Sequence, residues 1–455
     1  MTHIHQRGTR SRKGAAGIAA VLAIALAACG SSSNKTAATT TTAAATTTAA
    51  TATTTAATTA GTTGASSAPT TASTPATTGA TTPPSAAPAK GDPINLMVIA
   101  TVGKPGGDYP EDFSAASAAA AAINAAGGVN GRPLNVLTCN DQLDPNIASD
   151  CARQAVSKNV VAVVGNLSTF SDQWAPIIQA AHIPSVGNLG VAQSEATGAN
   201  SFPIAGGTSI VSLGTIKALV GAGKTKIAVT YPDIPVIAPL IDALTKHVSD
   251  AGGTLVAKIP IPIGAVDMAP YAAQMKSSGA DGGLIIAATG SEIQQITALY
   301  QSGVIPGQIT LAVSTLSLSP KNVADLGPAV EGTLMVGSFL PSSNTTDPGI
   351  IQFNKEMDAA GMKDNRGDIA LQSWASVHII ANVLKTAKTI DGQGLQDAMT
   401  AAGPITFPGV APFDWSKPNP AFAPRRIFST EVTFSKVAGG KIVNDGKFVD
   451  VTAAG

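Results

Sequence analysis

The chain reads as an α/β protein of two doubly wound parallel-sheet lobes. Short apolar segments alternate with helical patterns over residues 92–455. Several of these segments are apolar throughout, such as Val160-Val161-Ala162-Val163-Val164, as strands covered on both sheet faces must be. The alternation also comes as two successive series, one for each lobe.

The first series predicts strands at Ile94–Val102, Leu134–Asn140, Val160–Leu167 and Ile183–Gly187, with helices starting near Glu111, Asn146 and Phe170. Gly127-Gly128 stops the first helix, since glycine past a helix end takes the left-handed conformation. The second series predicts strands at Lys226–Tyr231, Thr254–Ile261, Gly283–Ala288 and Ile309–Val313. Its helices fall near 209–221, 235–250, 269–279 and 291–302. From Arg425 on, the tail reads as short strands around Gly439-Gly440 and Asp445-Gly446.

Two segments precede this body. Residues 1–29 have the form of an export signal: Arg7, Arg10, Arg12 and Lys13, then an apolar run from Ala15 to Ala28. That run is too short for a spanning helix of about 20 residues. It ends in Leu26-Ala27-Ala28-Cys29-Gly30, which resembles a bacterial lipoprotein processing box, with the Cys29 thiol taking the lipid (palmitate). Residues 30–91 form a tether: 42 of the 60 residues from Ser31 to Lys90 are Thr or Ala. With no aromatic or large aliphatic side chain, that stretch buries too little apolar surface to offset its ordering entropy. The expected location is therefore the cell membrane, lipid-anchored, on the extracytoplasmic side.

Composition excludes several functions. The whole chain is neutral, with 28 basic and 28 acidic residues; removal of the leader leaves 24 basic against 28 acidic, a formal charge of −4. A mildly acidic body with 4% aromatic residues does not suit nucleic acid, which needs a cationic footprint and stacking platforms. Three cysteines and five unclustered histidines give no metal-ligand spacing. Gly221-Ala222-Gly223-Lys224-Thr225 has a phosphate-loop look, but it lacks the first glycine and joins a helix to a strand rather than a strand to a helix. No G-x-S-x-G elbow occurs, and His182 and His378 have no evident Ser or Cys partner. No enzyme is expected, and no cofactor. Cys139 and Cys151, left over once Cys29 is lipidated, form either a disulfide, the favoured reading outside the cell membrane, or two buried thiols.

Specific stretches carry a family resemblance. They are the alanine-rich helix and turn from Ala118 to Gly131, Asn140-Asp141-Gln142-Leu143-Asp144-Pro145, Val163-Val164-Gly165 with Ser168-Thr169, Ile183-Pro184-Ser185, and Pro412-Phe413-Asp414-Trp415. In this order and spacing the body resembles periplasmic binding proteins of the leucine/isoleucine/valine-binding type, the extracellular receptors of ABC importers. The resemblance implies a type I periplasmic-binding-protein fold with a ligand cleft between lobes. It places lobe 1 at residues 92–206 and 338–423, lobe 2 at 207–337 and 424–455, and crossovers near Gly206–Gly207, Gly337–Phe339 and Phe422–Pro424. It implies a monomeric lipoprotein that captures a small-molecule solute by lobe closure and hands it to an ABC permease. A ligand-sensing lipoprotein that signals to a membrane receptor is the alternative, and an enzyme on the same fold a weaker one.

Carried over position by position, the resemblance nominates Tyr109, Thr169, Asn188, Tyr231, Thr289 and Ser314 as ligand-binding. It also exposes departures. Gly190 replaces a hydroxyl residue, no aromatic stands near Thr289, and Ala312-Val313-Ser314-Thr315 lacks the acid expected for a ligand ammonium. Asp233 and Glu292 lie near enough to the expected rim to supply one, although Glu292 follows Gly290-Ser291 as an ordinary first-turn helix acid would. Trp174 and Trp415 read as core; Trp374 reads equally as core or as a residue near the hinge.

Overall fold

The computed structural model describes residues 89–453 apart from 105–106, 191, 234–237, 263 and 288. The leader, Cys29 and the tether lie outside the described residues.

The first sheet contains β1 (Ile94–Ala100), β2 (Leu134–Asn140), β3 (Ala162–Val164), β4 (Ser185–Val186) and β5 (Ser201–Phe202), in the order β2-β1-β3-β4-β5 with every pair parallel. Between these strands run α1 (Pro110–Ala125), α2 (Pro145–Ser157), α3 (Ser171–Ala180) and α4 (Gln193–Thr197). The local chemistry of α2 explains its start: Pro145 occupies the first turn and Asp144 accepts from the amides of Asn146 and Ile147 at 2.7 and 3.2 Å. Cys139 on β2 and Cys151 on α2 are joined in a disulfide, with Cα atoms 5.7 Å apart.

The chain then crosses to a second sheet at Gly206–Gly207. It forms α5 (Gly207–Gly221), β6 (Lys226–Pro232), α6 (Ala238–Asp250), β7 (Thr254–Ile261), α7 (Ala269–Ser277), β8 (Gly282–Ile285), α8 (Thr289–Gln301), β9 (Thr310–Ser314), α9 (Pro320–Leu326) and β10 (Leu334–Gly337). After β10 it returns to the first sheet with α10 (Pro348–Ala359), α11 (Asp368–Leu384), α12 (Gly392–Ala401) and a hairpin of β11 (Pro404–Phe407) and β12 (Val410–Asp414). It finishes on the second sheet as β13 (Glu431–Ala438) and β14 (Lys441–Asp450). We call each sheet with its covering helices a lobe.

The second sheet has the order β14-β13-β10-β9-β8-β6-β7. Strands β6 to β10 are parallel, whereas β13 and β14 are antiparallel additions. The tail is thus one long hairpin turning at Gly439-Gly440, not a set of short strands. Asp445-Gly446 lies inside β14, where the pairing with β13 slips in register. As the edge strand, β14 carries Lys441, Asp445, Lys447 and Asp450, charges that discourage pairing with another chain.

The largest apolar cluster draws residues from both the first series and the returning segment, with α1 packed along α11. The small side chains of α1 (Ala115, Ala116, Ala118, Ala119 and Ala120, all buried) permit that close approach. Trp374 settles in this core. Its indole N–H donates to Glu356 Oε2 at 2.6 Å, and its ring meets Phe353 and Phe407 edge-on. His378 Nε2 lies 2.8 Å from the same carboxylate oxygen. Trp415 is likewise buried and donates to the Pro203 carbonyl at 2.9 Å, which ties the late segment to β5.

Candidate functional site

A cleft of about 310 Å³ lies between the lobes, beyond the carboxyl ends of the strands. Its walls come from the loop after β1 (Lys104 to Tyr109), the start of α8, the turn from β9 into α9, and the residues that lead into α11. Helices α1, α8, α9 and α11 all begin at this cleft. The loop after β1 is held by Tyr109 N–H donating to the Thr101 carbonyl at 2.9 Å and by Gly103 N–H donating to Asp108 Oδ1 at 2.8 Å. Opposite, Ser319 and Asn322 cap α9 reciprocally.

Acids dominate the site. Asp368, the first residue of α11, is 6% exposed and lines the cleft. Its Oδ2 accepts from Thr315 Oγ1 at 2.6 Å and from the Ser338 amide at 3.3 Å, so one carboxylate joins α11 to the second lobe and to a crossover. Burial pushes this carboxyl up to about 6, against the pull of those hydrogen bonds. Glu111 lines the facing wall; burial pushes it up to about 7, and its Oε2 has no hydrogen-bond partner among the described residues. Beneath it, Asp112 accepts from the Ser373 hydroxyl and is held well above the usual carboxylate range by burial. Glu292 is 1% exposed and pushed up to about 7 by burial, against the pull of the nearby Ser317 hydroxyl; its Oε1 is unpartnered among the described residues. Burial, followed by the Glu111 and Asp108 charges, raises the Tyr109 phenol. Lys104 is the one cation of the described cleft wall, and it is exposed.

Of the residues nominated from sequence, Tyr109 and Thr289 line this cleft. Ser314 stands one residue before the wall; its hydroxyl accepts from the Leu316 amide at 3.1 Å and shapes the turn that presents Thr315. The other three are not among the lining residues. Thr169 is exposed on the loop before α3. Asn188 is buried, and its amide donates to Ser201 Oγ at 2.9 Å, linking the loop after β4 to β5. Tyr231 packs against the apolar cluster around β6 and α6. Helix α11 accounts for part of this arrangement. It presses on the ends of β3 and β4 so closely that a Cβ at Gly165 or Gly187, both at positive φ, would meet the hydroxyl oxygens of Ser373 or Ser376 at 2.1 and 1.8 Å.

Glu292 is a first-turn acid of α8, as the sequence suggests, but it is buried and is not among the lining residues, whereas Asp233 is exposed at the end of β6. The acid absent from 312–315 is matched by acids from other elements, Glu111 and Asp368, which sequence reasoning did not single out. One signal was available: Asp368 opens a helix that has no other Asp, Glu, Lys or Arg through Leu384. Gly221–Thr225 forms the end of α5 and the turn into β6, a helix-to-strand connection. No helix among the described residues is long and apolar enough to cross a membrane.

Comparison with known proteins places this geometry. A family profile described as periplasmic binding protein matches residues 98–440. Leu/Ile/Val-binding protein homolog 7 of Brucella abortus is 26% identical over 297 residues, covering 61% of this chain and 73% of that protein. Among solved structures, an ABC transporter substrate-binding protein of Aeropyrum pernix superposes with a TM-score of 0.67 at 16% identity, covering 79% of this chain and 96% of that chain. An R. palustris solute-binding protein in complex with 4-hydroxybenzoate gives 0.65 at 17% identity, covering 79% and 97%. At these identities the structural likeness concerns the fold alone. The profile spans well over half of the chain, and the chain belongs to the periplasmic binding protein family, the extracytoplasmic solute-binding proteins of ABC-type transporters.

Proposed function

We propose that this chain is the membrane-tethered receptor of an ABC importer. It captures a small polar solute between its lobes and delivers it to a permease. The observation that carries the reading is the inter-lobe cleft, walled by residues of both lobes and supplied with hydroxyl, amide and carboxylate groups that can converge on one molecule. Cys29 is proposed to take the lipid, with residues 30–91 giving the body reach above the membrane. Lobe closure about the crossovers traps the solute. The Brucella homologue's name and the 4-hydroxybenzoate complex mark two ligand chemistries to try first.

The test is a thermal-shift screen of the purified chain with leucine, isoleucine, valine, 4-hydroxybenzoate and a panel of polar amines, amides and sugars. A solute at about 100 times its dissociation constant adds roughly 2.7 kcal/mol, a shift of several degrees. Cys29→Ala should abolish incorporation of a labelled fatty acid into the chain without changing solute affinity. Full labelling of that variant refutes the anchor.

A further inference from the structure

We propose that the cleft takes a polar organic cation, a protonated amine held by the carboxylates of Glu111 and Asp368, and not a branched aliphatic or benzoate-like solute. This rests on the reading of the cleft as the solute site. Three acids, Asp108, Glu111 and Asp368, line it against one exposed lysine. The buried acids have spare acceptors. Asp368 commits Oδ2 to Thr315 and Ser338, while its Oδ1 has no donor among the described residues. Glu111 Oε2, buried, has none either. A carboxylate taken out of water without a partner is unfavourable, and a ligand cation supplies the missing partner. An anionic solute would meet like charge there.

Glu111 and Asp368 stand in the first turns of α1 and α11, where the helix N-terminus favours a carboxylate, but neither caps its helix: Asp368 is turned to Thr315 and Ser338, and α1 has no side-chain cap, so Glu111 Oε2 and Asp368 Oδ1 stay without a donor. Nor do they form a metal centre: among the described residues no three or more His, Cys, Asp or Glu side chains are grouped to hold a metal ion. The rest of the described wall gives that cation further polar partners: Thr289, Thr315, Ser317, Asn322 and Asn365 offer hydroxyls and amides, while Tyr109, Leu316 and Ile369 offer apolar contact. A branched-chain side chain would need more apolar wall than that.

The test uses matched pairs in isothermal titration of the purified chain: glucosamine against glucose and putrescine against 1,4-butanediol, with leucine and 4-hydroxybenzoate as comparators. An amine should bind at least tenfold more tightly than its neutral mate. Glu111→Gln and Asp368→Asn should each weaken it by about tenfold to a hundredfold, as loss of a hydrogen bond to a charged group does. Because Asp368→Asn also loosens an inter-lobe contact, a second readout uses Glu111→Gln alone. At pH 8 its ligand-free melting temperature should rise above that of the parent chain, since an unpaired buried charge is gone, and that rise supports the proposal even where the panel lacks the natural solute. Tight binding of glucose, leucine or 4-hydroxybenzoate with the amines inert overturns the charge assignment and leaves the solute site standing, as does amine affinity unchanged in both variants. Failure of every compound together with an unchanged or lowered Glu111→Gln melting temperature overturns both readings.

Discussion

Replacing Glu292 by glutamine should stabilise the ligand-free chain, and only at neutral and alkaline pH. Glu292 is 1% exposed, and burial, opposed by the nearby Ser317 hydroxyl, moves its carboxyl from 4.5 to about 7. A folded-state value above the unfolded one means that the folded chain holds the proton longer. Stability from this group is therefore fully present below about pH 4.5, falls as pH rises toward 7, and is flat beyond about 8. A rise from 4.5 to about 7 corresponds to roughly 3 kcal/mol. Glutamine keeps the size of the side chain and never ionises. The pH-independent part of the substitution cancels when variant and parent are compared at two pH values. The difference in unfolding free energy between them should thus grow by about 3 kcal/mol from pH 4.5 to pH 8 in favour of the variant. For a body of about 365 residues, an unfolding entropy of about 2.1 cal/mol/K per residue turns this into a relative gain of about 4 °C in melting temperature. Calorimetry of both chains at pH 4.5, 6 and 8 measures it. A difference that stays constant with pH, or one that moves against the variant as pH rises, refutes the reasoning.

Other expectations follow from individual contacts. Asp144→Ala removes the oxygen that accepts from the Asn146 and Ile147 amides and should cost about 1 kcal/mol in urea unfolding. Replacing both Cys139 and Cys151 by serine opens a loop with a sequence separation of 12 and should cost about 3 kcal/mol, with dithiothreitol lowering the parent's melting temperature and leaving the double variant's unchanged. Trp415→Phe leaves the buried Pro203 carbonyl without its donor and should cost about 1–3 kcal/mol, measured by the same unfolding curves.

What could be read from the chain, and what could not, divides along a physical line. Strand-helix alternation is a local pattern, and it placed β1, β2, β6, β7 and β9 within a few residues because each is a run of apolar, β-favouring side chains. The short strands β3 and β4 are shorter than the sequence suggests, since their flanking residues make only isolated backbone bonds to neighbouring strands, such as Val161 to Asn95 and Gly187 to Phe202, and no continuous ladder. The strands β10 to β12, in the segment after β9, were not placed at all. The cleft was harder. Transferring positions by resemblance assumed that the loops after β3 and β4 face the ligand, yet here Gly165 and Gly187 lie against α11 and Asn188 is engaged with Ser201. The acids of the site come from positions some 250 residues apart in the chain, Glu111 and Asp368, and no periodicity reports such a pairing.

The same acids bear on how closure could depend on the solute. Asp368 connects three parts of the fold through one carboxylate: α11, the second-lobe turn at Thr315, and the crossover at Ser338. Its other oxygen is left for the cleft. When the lobes part, water can reach Glu111 and Asp368, and their charges cost little. When the lobes close on an empty cleft, the carboxylates lose water and gain no partner, which disfavours the closed form. A cation removes that penalty in the closed form far more than in the open one. The difference in its affinity for the two states is what a ligand must supply to shift a conformational equilibrium. On the proposed reading, the unpartnered oxygens are therefore more than contacts for the solute. They also hold the empty receptor open, so that a permease selecting the closed shape would not be engaged by a chain with nothing to deliver.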